Sequence, residues 1–296
     1  MNRRNILKAL ALLPLSAAAM KLKELRLLTD LMPATQVMPV LFVGHGSPMN
    51  AIEDNDFNRQ WRKIGASIPK PAAVLCVSAH WETKGTFVTA MEQPRTIHDF
   101  GGFPKALFDV DYKAPGSIWL ANETQQLVKS ASLGMDESWS LDHGAWSVMK
   151  HLYPEADVPV IQMSLDVKGD TRYHYNLARE LAALRRKGVL IVGSGNMVHN
   201  FSYMQMPSGG FNVPFGHDWA LEANETFKKL IHENDAEALI NFKQYSTALK
   251  LSAPTPDHYL PMIYALALRE KTDNLSFFND AVVGGSFSMT SFVLSS

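Results

Sequence analysis

Short, continuous apolar runs alternate with amphipathic stretches along most of the chain. Apolar runs rich in β-branched residues are typical of strands covered on both faces. They predict strands at residues 39–43, 72–78, 86–90, 158–165 and 189–193. Between them, apolar positions at helical spacing predict helices at residues 54–68, 117–132, 146–152, 173–187, 219–233, 236–241 and 259–268.

This alternation predicts an α/β fold, a single-domain sandwich with a largely parallel central sheet flanked by helices. A chain of 296 residues with 46% hydrophobic composition can build one large core. The segment "FSMTSFVL" follows the turn signal Gly284-Gly285 and predicts an edge strand. With no repeat and no long internal linker, residues 38–296 are predicted to form one domain, and residues 21–37 a short helix and linker.

The first twenty residues have a different pattern. Arg3-Arg4 precede an apolar stretch at residues 6–15 and small residues at 16–19, an order typical of an export signal. "RRNILK" resembles the twin-arginine signal, so residues 1–20 predict a periplasmic protein, or a cytoplasmic one if they are not a signal. An amphipathic helix or membrane anchor is the alternative. The stretch is shorter than the ~20 residues that span a bilayer, so no stable membrane insertion is expected.

The net charge argues against one class of partner, and the cysteine content argues against a disulfide. The formal net charge of −1 provides no basic excess to neutralise phosphates, which argues against nucleic acid as a partner. Cys76 is the single cysteine and lies in an apolar run, so the sequence predicts a buried thiol and no intramolecular disulfide.

Three histidines follow apolar runs directly: His45 in "GHGSP", His80 in "SAHWE" and His199 in "GSGNMVHN". Because the carboxyl ends of parallel strands meet at one edge of a sheet, we expect these side chains to be neighbours. His258 follows Asp257, which could cap a helix there, and His143 also stands at a predicted helix start. Imidazole is the commonest ligand for zinc, iron and copper, and three ligands with a free position make a catalytic site.

A histidine in a loop more often packs or hydrogen-bonds than binds a metal. Equivalent positions at strand ends favour the metal interpretation for His45 and His80. Spacing alone leaves both interpretations open for His199 and His258. His151, His174 and His232 lie inside predicted helices and are expected to be structural, and His217 is expected to be a helix-start residue before Asp218 and Trp219.

Other catalytic motifs are incomplete. Gly193-Ser194-Gly195 lacks the rest of a dinucleotide fingerprint, and "VGHGSPMN" lacks the lysine of a phosphate loop. Neither Ser47 nor Ser194 stands in a G-x-S-x-G elbow, which disfavours a serine hydrolase.

Seven motifs together resemble the DOPA 4,5-dioxygenase extradiol family, a branch of the LigB-type, class III extradiol ring-cleaving dioxygenases. They are "LFVGHGSPMNAI", "VSAHWET", "TIHDFGGFP", "LDHGAWSVM", "PVIQMSLD", "GSGNMVHNF" and "APTPDHYLP", and the resemblance runs from about residue 38 to the C-terminus. It implies a LigB-like fold and a metal held by His45, His80 and His258. His199 matches the family's acid–base histidine, which in some members is also a fourth ligand, so it is predicted in both roles.

The resemblance implies a metal-dependent extradiol dioxygenase that opens the ring of a catechol such as DOPA with O2. The implied cofactor is one divalent metal ion. Fe(II) is expected, because it can bind a catechol, leave a position for O2 and pass electron density between them. Zn(II) is the alternative ion, although it has no redox chemistry. In this interpretation His199 takes a proton from a catechol hydroxyl and returns one as the ring opens.

Further residues are predicted to contact the substrate. His143, at a helix N-terminus, would favour an anionic oxygen and is a second catalytic candidate. The loop at residues 96–112, with paired glycines and several phenylalanines, is predicted to cover the pocket and to place His98 and Phe103 near the substrate. Ser47 is a further candidate for substrate binding. Alternatively, this loop packs its aromatic side chains against the core.

Two other functions use the same histidines. A zinc-dependent hydrolase would activate water without consuming oxygen, and a non-enzymatic metal-binding protein would hold the ion without turnover. The predicted assembly is a monomer or a small homo-oligomer.

Overall fold

The computed structural model describes residues 37–296. The predicted export signal, and the predicted linker up to residue 36, lie outside the described residues. The strands are β1 (Val40–Gly44), β2 (Ala73–Thr83), β3 (Thr86–Thr89), β4 (Leu133–Asp136), β5 (Val160–Asp166), β6 (Val189–Gly195), β7 (Asn274–Phe278), β8 (Val282–Val283), β9 (Phe287–Ser288) and β10 (Ser291–Ser295).

The helices lie mostly between these strands. They are α1 (Asp56–Ser67), α2 (Lys105–Phe108), α3 (Ile118–Leu127), α4 (His143–Leu152), α5 (Thr171–Glu180), α6 (Asp218–Glu233), α7 (Ala236–Ile240), α8 (Phe242–Tyr245), α9 (Thr247–Ser252) and α10 (Leu260–Ala267). Short 3₁₀ turns span Pro48–Ala51, Leu181–Lys187 and Phe201–Tyr203. No helix within residues 37–296 has the length and apolar character needed to cross a bilayer.

Eight strands form one sheet in the order β4-β3-β5-β2-β6-β1-β10-β7. The four central strands β5, β2, β6 and β1 are mutually parallel, while β10 and β7 join antiparallel at one side. Helices cover both faces of this sheet. The predicted α/β sandwich with a largely parallel central sheet is therefore confirmed.

The continuous apolar runs are explained by burial on both faces of the sheet. In β1, Val40 and Phe42 pack into one buried cluster, with residues of α5, α6 and α10. Leu41 and Val43 point to the opposite face and pack into a second cluster, with Trp61 of α1 and residues of α4. Successive side chains of a strand alternate between faces, so a strand covered on both sides needs apolar residues at every position.

Some local predictions are wrong. The segment "FSMTSFVL" was expected at the sheet edge, but β10 pairs with both β1 and β7, and β7 is the edge strand. The residues of β7 are partly exposed, so they carry no continuous apolar run. His80 lies within β2 and not in a loop, because β2 continues to Thr83 past a register shift between Val77 and Glu82.

A buried ion pair fixes the start of β1. Arg185 and Asp273 are both fully buried, and two guanidinium nitrogens donate to the two carboxylate oxygens at 2.7 Å. The same guanidinium donates to the carbonyl oxygens of Met38 and Leu268. Arg185 therefore connects the residues before β1 to the segment that follows α10.

Replacing Arg185 by methionine is expected to lower the free energy of unfolding by about 3 kcal/mol, because it leaves a buried carboxylate without its partner. The adjacent Arg186, whose pair with Glu270 is more exposed, provides the matched control. Arg186→Met should cost less than about 1 kcal/mol. Urea denaturation of both variants measures the difference, and equal costs would contradict the assignment.

Candidate metal centre

Five histidines lie together at the carboxyl edge of the central strands. His45 follows β1, His80 lies in β2, His199 follows β6, His258 precedes α10, and His143 is the first residue of α4. Their imidazole rings form a connected set of ring contacts. The structure thus brings together all four residues predicted as metal ligands and the second catalytic candidate.

Close backbone contacts bring these chain segments to one point. The His45 N–H donates to the Gly195 carbonyl, and the Asn196 N–H donates to the His258 carbonyl. A Cβ on Gly195 would lie 2.2 Å from that His258 oxygen, so a side chain at this position would force the two segments apart. Glycine is needed here for close approach and not for an unusual φ.

Three of the rings have the spacing of ligands to one ion. The ring centres of His45, His80 and His258 are separated by 5.0, 5.3 and 4.9 Å. A ligating nitrogen lies 2.0–2.1 Å from the metal and the ring centre about 1.1 Å beyond it, so tetrahedral ligands have ring centres about 5 Å apart. The triangle formed by these three residues matches that spacing on every side.

The other two rings lie too close to a member of this triangle to share the ion in the same way. His199 stacks on His258 with ring centres 3.4 Å apart and planes 5° from parallel. His143 lies 3.9 Å from His80. Two ligands at these separations would subtend only about 65–75° at the metal, less than the ~90° between neighbouring ligands of a six-coordinate ion and far below the tetrahedral angle. His143 and His199 therefore flank the triangle.

Proximity of the donor atoms alone gives a different grouping. Donor atoms within 4.8 Å of one another form two sets among the described residues, His45, His80 and His143 in one and His199, Asp257 and His258 in the other. The ring-centre spacing favours the triangle, because His143 and His199 each lie closer to a neighbouring ring than two ligands of one ion would, and His258 links the two sets.

Hydrogen bonds at Nδ1 fix the tautomer of two of the three rings. The Ser194 hydroxyl donates to the Gly144 carbonyl at 2.5 Å, so its oxygen accepts from Nδ1–H of His45 at 3.0 Å. The Asp257 carboxylate accepts from Nδ1–H of His258. Metal-bound histidines are typically fixed by such partners, which leave the Nε2 lone pair for the ion.

The Nε2 atoms of His45 and His80 face each other at 3.2 Å. His45 already carries its proton on Nδ1, and an Nδ1 lone pair on His80 would face the Asp99 carboxylate at 3.6 Å, so both Nε2 lone pairs point at each other. Two nitrogens bound to one tetrahedral ion are about 3.3 Å apart. A cation between them would remove the repulsion, and the residues present therefore fit a metal ion.

The environment keeps these imidazoles neutral, which is the form that binds a metal. Burial, with repulsion from the neighbouring rings, holds the pKa of His45 and His258 well below the ordinary value. Burial lowers the pKa of His80 to about 3 and that of His199 to about 4. At neutral pH these four imidazoles are therefore donors without positive charge.

The helix start that holds His143 rests on a buried hydrogen-bond network. Asp142 caps α4 by accepting from the Ala145 N–H, and it also accepts from Ser78 and Gln162. Burial and the charge of Asp99 raise the pKa of Asp142 to about 6. Because Ser78 belongs to β2, this network connects the strand that carries His80 to the helix that begins at His143.

The predicted substrate-contact residues lie at different distances from the cluster. His98 packs against Phe100, Phe108 and Trp146, and its Nε2–H donates to the Val110 carbonyl. Phe103 packs on Phe100. The ring of Phe100 in turn lies 5.5 Å from that of His143. The loop therefore meets the cluster through Asp99 and Phe100, while His98 and Phe103 lie behind them.

Ser47 has a structural partner, since its hydroxyl accepts from the Met49 N–H and caps the turn Pro48–Ala51. Asp257 was expected to cap α10, which is wrong, because it binds His258 and the cap residue Tyr259 makes no side-chain cap hydrogen bond. A cleft of about 780 Å³ lies beside the loop at residues 96–112, lined by His98, Arg95 and Lys113 among others. None of the five clustered histidines lines it.

Asp99 is the functional candidate that the sequence interpretation missed. Its Oδ1 accepts from the His143 backbone N–H and its Oδ2 from Nδ1–H of His143, both at 2.9 Å. Its side chain is 17% exposed. Burial would raise the pKa of Asp99, but the bonds from His143 bring it below the ordinary value. The only signal in the sequence is its place in the motif "TIHDFGGFP".

Comparison with known proteins supports one family. Residues 38–282 match the LigB family, described as the catalytic LigB subunit of aromatic ring-opening dioxygenase. The chain is 42% identical to a 4,5-DOPA dioxygenase extradiol of Escherichia coli K12 over 90% of this chain and 97% of that protein. It is 34% identical to a 4,5-DOPA dioxygenase extradiol of Beta vulgaris over 88% of this chain and 97% of that protein.

A solved structure has the same architecture. The crystal structure of an uncharacterized protein from Escherichia coli K12 aligns with a TM-score of 0.73 at 35% identity. The alignment covers 87% of this chain and all of that one.

Proposed function

The chain belongs to the LigB family of aromatic ring-opening dioxygenases, and from this premise we propose that it binds one divalent metal ion through His45, His80 and His258 and opens the ring of a catechol with O2. By family it is an extradiol ring-cleaving dioxygenase. The observation that carries the proposal is the near-equal spacing of the three ring centres, 5.0, 5.3 and 4.9 Å.

The ion proposed for this site is Fe(II). When bound, iron would accept both catechol oxygens, keep a position for O2 and pass electron density from the ring to oxygen. Three neutral imidazoles leave the ion its full charge, which favours a catecholate as the partner. Zinc would fit the same nitrogen donors but has no redox chemistry.

His199 is proposed as the acid–base residue. Its ring spacing to His258 disfavours ligation of the same ion, and burial, which lowers its pKa, favours the neutral imidazole. A neutral imidazole nitrogen can accept the proton of a catechol hydroxyl at neutral pH and return it later to the opened product. Of its two predicted roles, the geometry favours this one.

His143 is proposed as the second catalytic residue. It flanks His80 as His199 flanks His258, so the two imidazoles serve different sides of the site. A catechol has two hydroxyl groups, and each can face one of these histidines. Since Nδ1 of His143 is already bonded to Asp99, Nε2 is the atom that receives the proton.

Aromatic side chains at the site favour a planar substrate. Phe201 and Phe287 each meet the His199 ring edge-on at 5.0 Å, and Phe201 is 67% exposed. Phe100 meets His143 on the other side. An aromatic ring between such side chains gains apolar contact and edge-to-face packing. With relatives named for DOPA, we propose a catechol such as DOPA as the substrate class.

Oxygen uptake tests this function. Protein reconstituted with Fe(II) under anaerobic conditions should consume O2 when DOPA is added, and the Zn(II)-loaded protein should consume none. Tyrosine, which lacks the second hydroxyl, is the substrate control. Failure of every catechol to elicit uptake would contradict the proposal, and oxygen-independent turnover with zinc would favour a hydrolase.

A further inference from the structure

We propose that Asp99 is a positioning residue that holds His143 in the Nδ1–H tautomer and so presents the Nε2 lone pair of His143 to the catechol. The inference rests on the proposed function, because it assigns a role within the same site. It adds a residue to which neither the sequence motifs nor the comparisons give a role.

Both oxygens of the Asp99 carboxylate are engaged by the same residue. One accepts from the backbone N–H of His143 and the other from its ring, each at 2.9 Å. A carboxylate can only accept hydrogen bonds, so the proton of the neutral imidazole must lie on Nδ1. The two bonds fix the ring relative to its own backbone, which leaves the imidazole a single orientation.

The distances distinguish His143 from His80 as the partner of Asp99. Nδ1 of His80 lies 3.6 Å from Oδ2, beyond hydrogen-bond range, whereas Nδ1 of His143 lies at 2.9 Å from the same atom. Asp99 therefore acts directly on His143. Its influence on the metal ligand His80 is limited to the electrostatic preference for a proton on Nδ1.

The chain holds Asp99 in place from its N-terminal side. The Ile97 N–H donates to the Leu141 carbonyl, and the Leu141 N–H donates to the Arg95 carbonyl. These bonds join the segment before Asp99 to the segment that leads into α4. After Phe100 the loop continues through Gly101 and Gly102, where an added Cβ would meet no atom within 4 Å. The carboxylate thus lies at the anchored end of the loop.

This arrangement has a defined role in the proton transfer. The O–H bond of a catechol hydroxyl breaks, the proton forms a bond to Nε2 of His143, and the electron pair stays on the catechol oxygen. The resulting imidazolium is positive, and the adjacent carboxylate stabilises it. An orienting carboxylate of this kind controls which nitrogen of a histidine is available as the base.

Asp99→Asn tests the assignment with little change in shape. The asparagine carbonyl can still accept from the His143 backbone, but its NH2 group would donate to Nδ1 and move the imidazole proton to Nε2. We expect kcat to fall about 10- to 100-fold, with KM and bound iron changed less than about twofold. Asp109→Asn, on the same loop and paired with Lys105 at the surface, is the matched control and should match the unmodified protein.

A second readout needs neither iron nor substrate. Two-bond ¹⁵N–¹H spectra of histidine-labelled, metal-free protein report the tautomer of each imidazole, and His143→Gln identifies the signals of His143. The unmodified protein should show the proton on Nδ1, and Asp99→Asn should show it on Nε2.

An unchanged tautomer in Asp99→Asn, or loss of iron on the scale of a ligand variant, would overturn the assignment. Partial recovery of kcat in Asp99→Glu would support it. If the iron-loaded protein acts on no catechol, the proposed function fails, whereas the tautomer spectra still decide whether Asp99 orients His143.

Discussion

Replacing His258 by alanine is expected to remove the metal and abolish iron-dependent oxygen uptake. The variant keeps two of the three imidazoles in the triangle, which is too few to hold a catalytic ion at micromolar protein concentration. Bound iron should fall from about one per chain to less than about 0.1 after anaerobic loading and desalting. Elemental analysis of the desalted protein measures this.

Two further variants provide the comparison for this loss of iron. Asp257→Asn keeps the imidazole of His258 but removes the carboxylate that accepts from its Nδ1–H, and should weaken metal affinity about 10- to 100-fold. His232→Gln, on the exposed side of α6, should retain full metal content. Circular dichroism checks that each variant is folded. A folded His258→Ala protein with a full complement of iron would contradict the ligand assignment.

Replacing His199 by glutamine is expected to separate chemistry from metal binding. As the acid–base residue outside the ligand triangle, it should be dispensable for the ion, while its loss lowers kcat about 10³-fold. Steady-state oxygen uptake and elemental analysis on the same preparation measure both quantities. The comparison with His258→Ala is direct, since the two rings stack on each other.

Other results for His199→Gln would assign a different role to His199. If His199→Gln loses iron together with activity, His199 is a ligand and its stacking on His258 does not exclude ligation. If metal content and oxygen uptake are both unchanged, the protein does not use His199 at all, which is the outcome expected of a non-enzymatic metal-binding protein.

The fold was largely predictable because strands buried on both faces require continuous apolar runs, which are easily recognised in the sequence. Buried strands such as β1 and β6 begin with continuous apolar runs, VLFV and VLIV, and their parallel pairing follows from the helices between them. The same logic predicts that His45 and His199 lie at one edge of the sheet. Strand β7 has no continuous apolar run, so the sequence does not predict it. For this reason the sequence places β10, and not β7, at the sheet edge.

The partners of the histidines were not predictable, because they depend on contacts between distant segments. Asp99 and His143 are 44 positions apart, and Ser194 and His45 are 149 apart. No periodicity or spacing in a single sequence indicates that a carboxylate in one loop reaches the ring at the start of a particular helix. Only Asp257 and His258 are adjacent in the sequence, and there the sequence pattern predicts a helix cap at Asp257 and not a bond to His258.

Anomalous diffraction at the iron edge from crystals of the Fe(II)-loaded protein tests the ligand triangle most directly. We predict one peak per chain, about 2.0–2.1 Å from an Nε2 atom of each of His45, His80 and His258, with His143 and His199 outside bonding distance. Two peaks, or one bound to the Nε2 atom of His143 in place of His258, would contradict it.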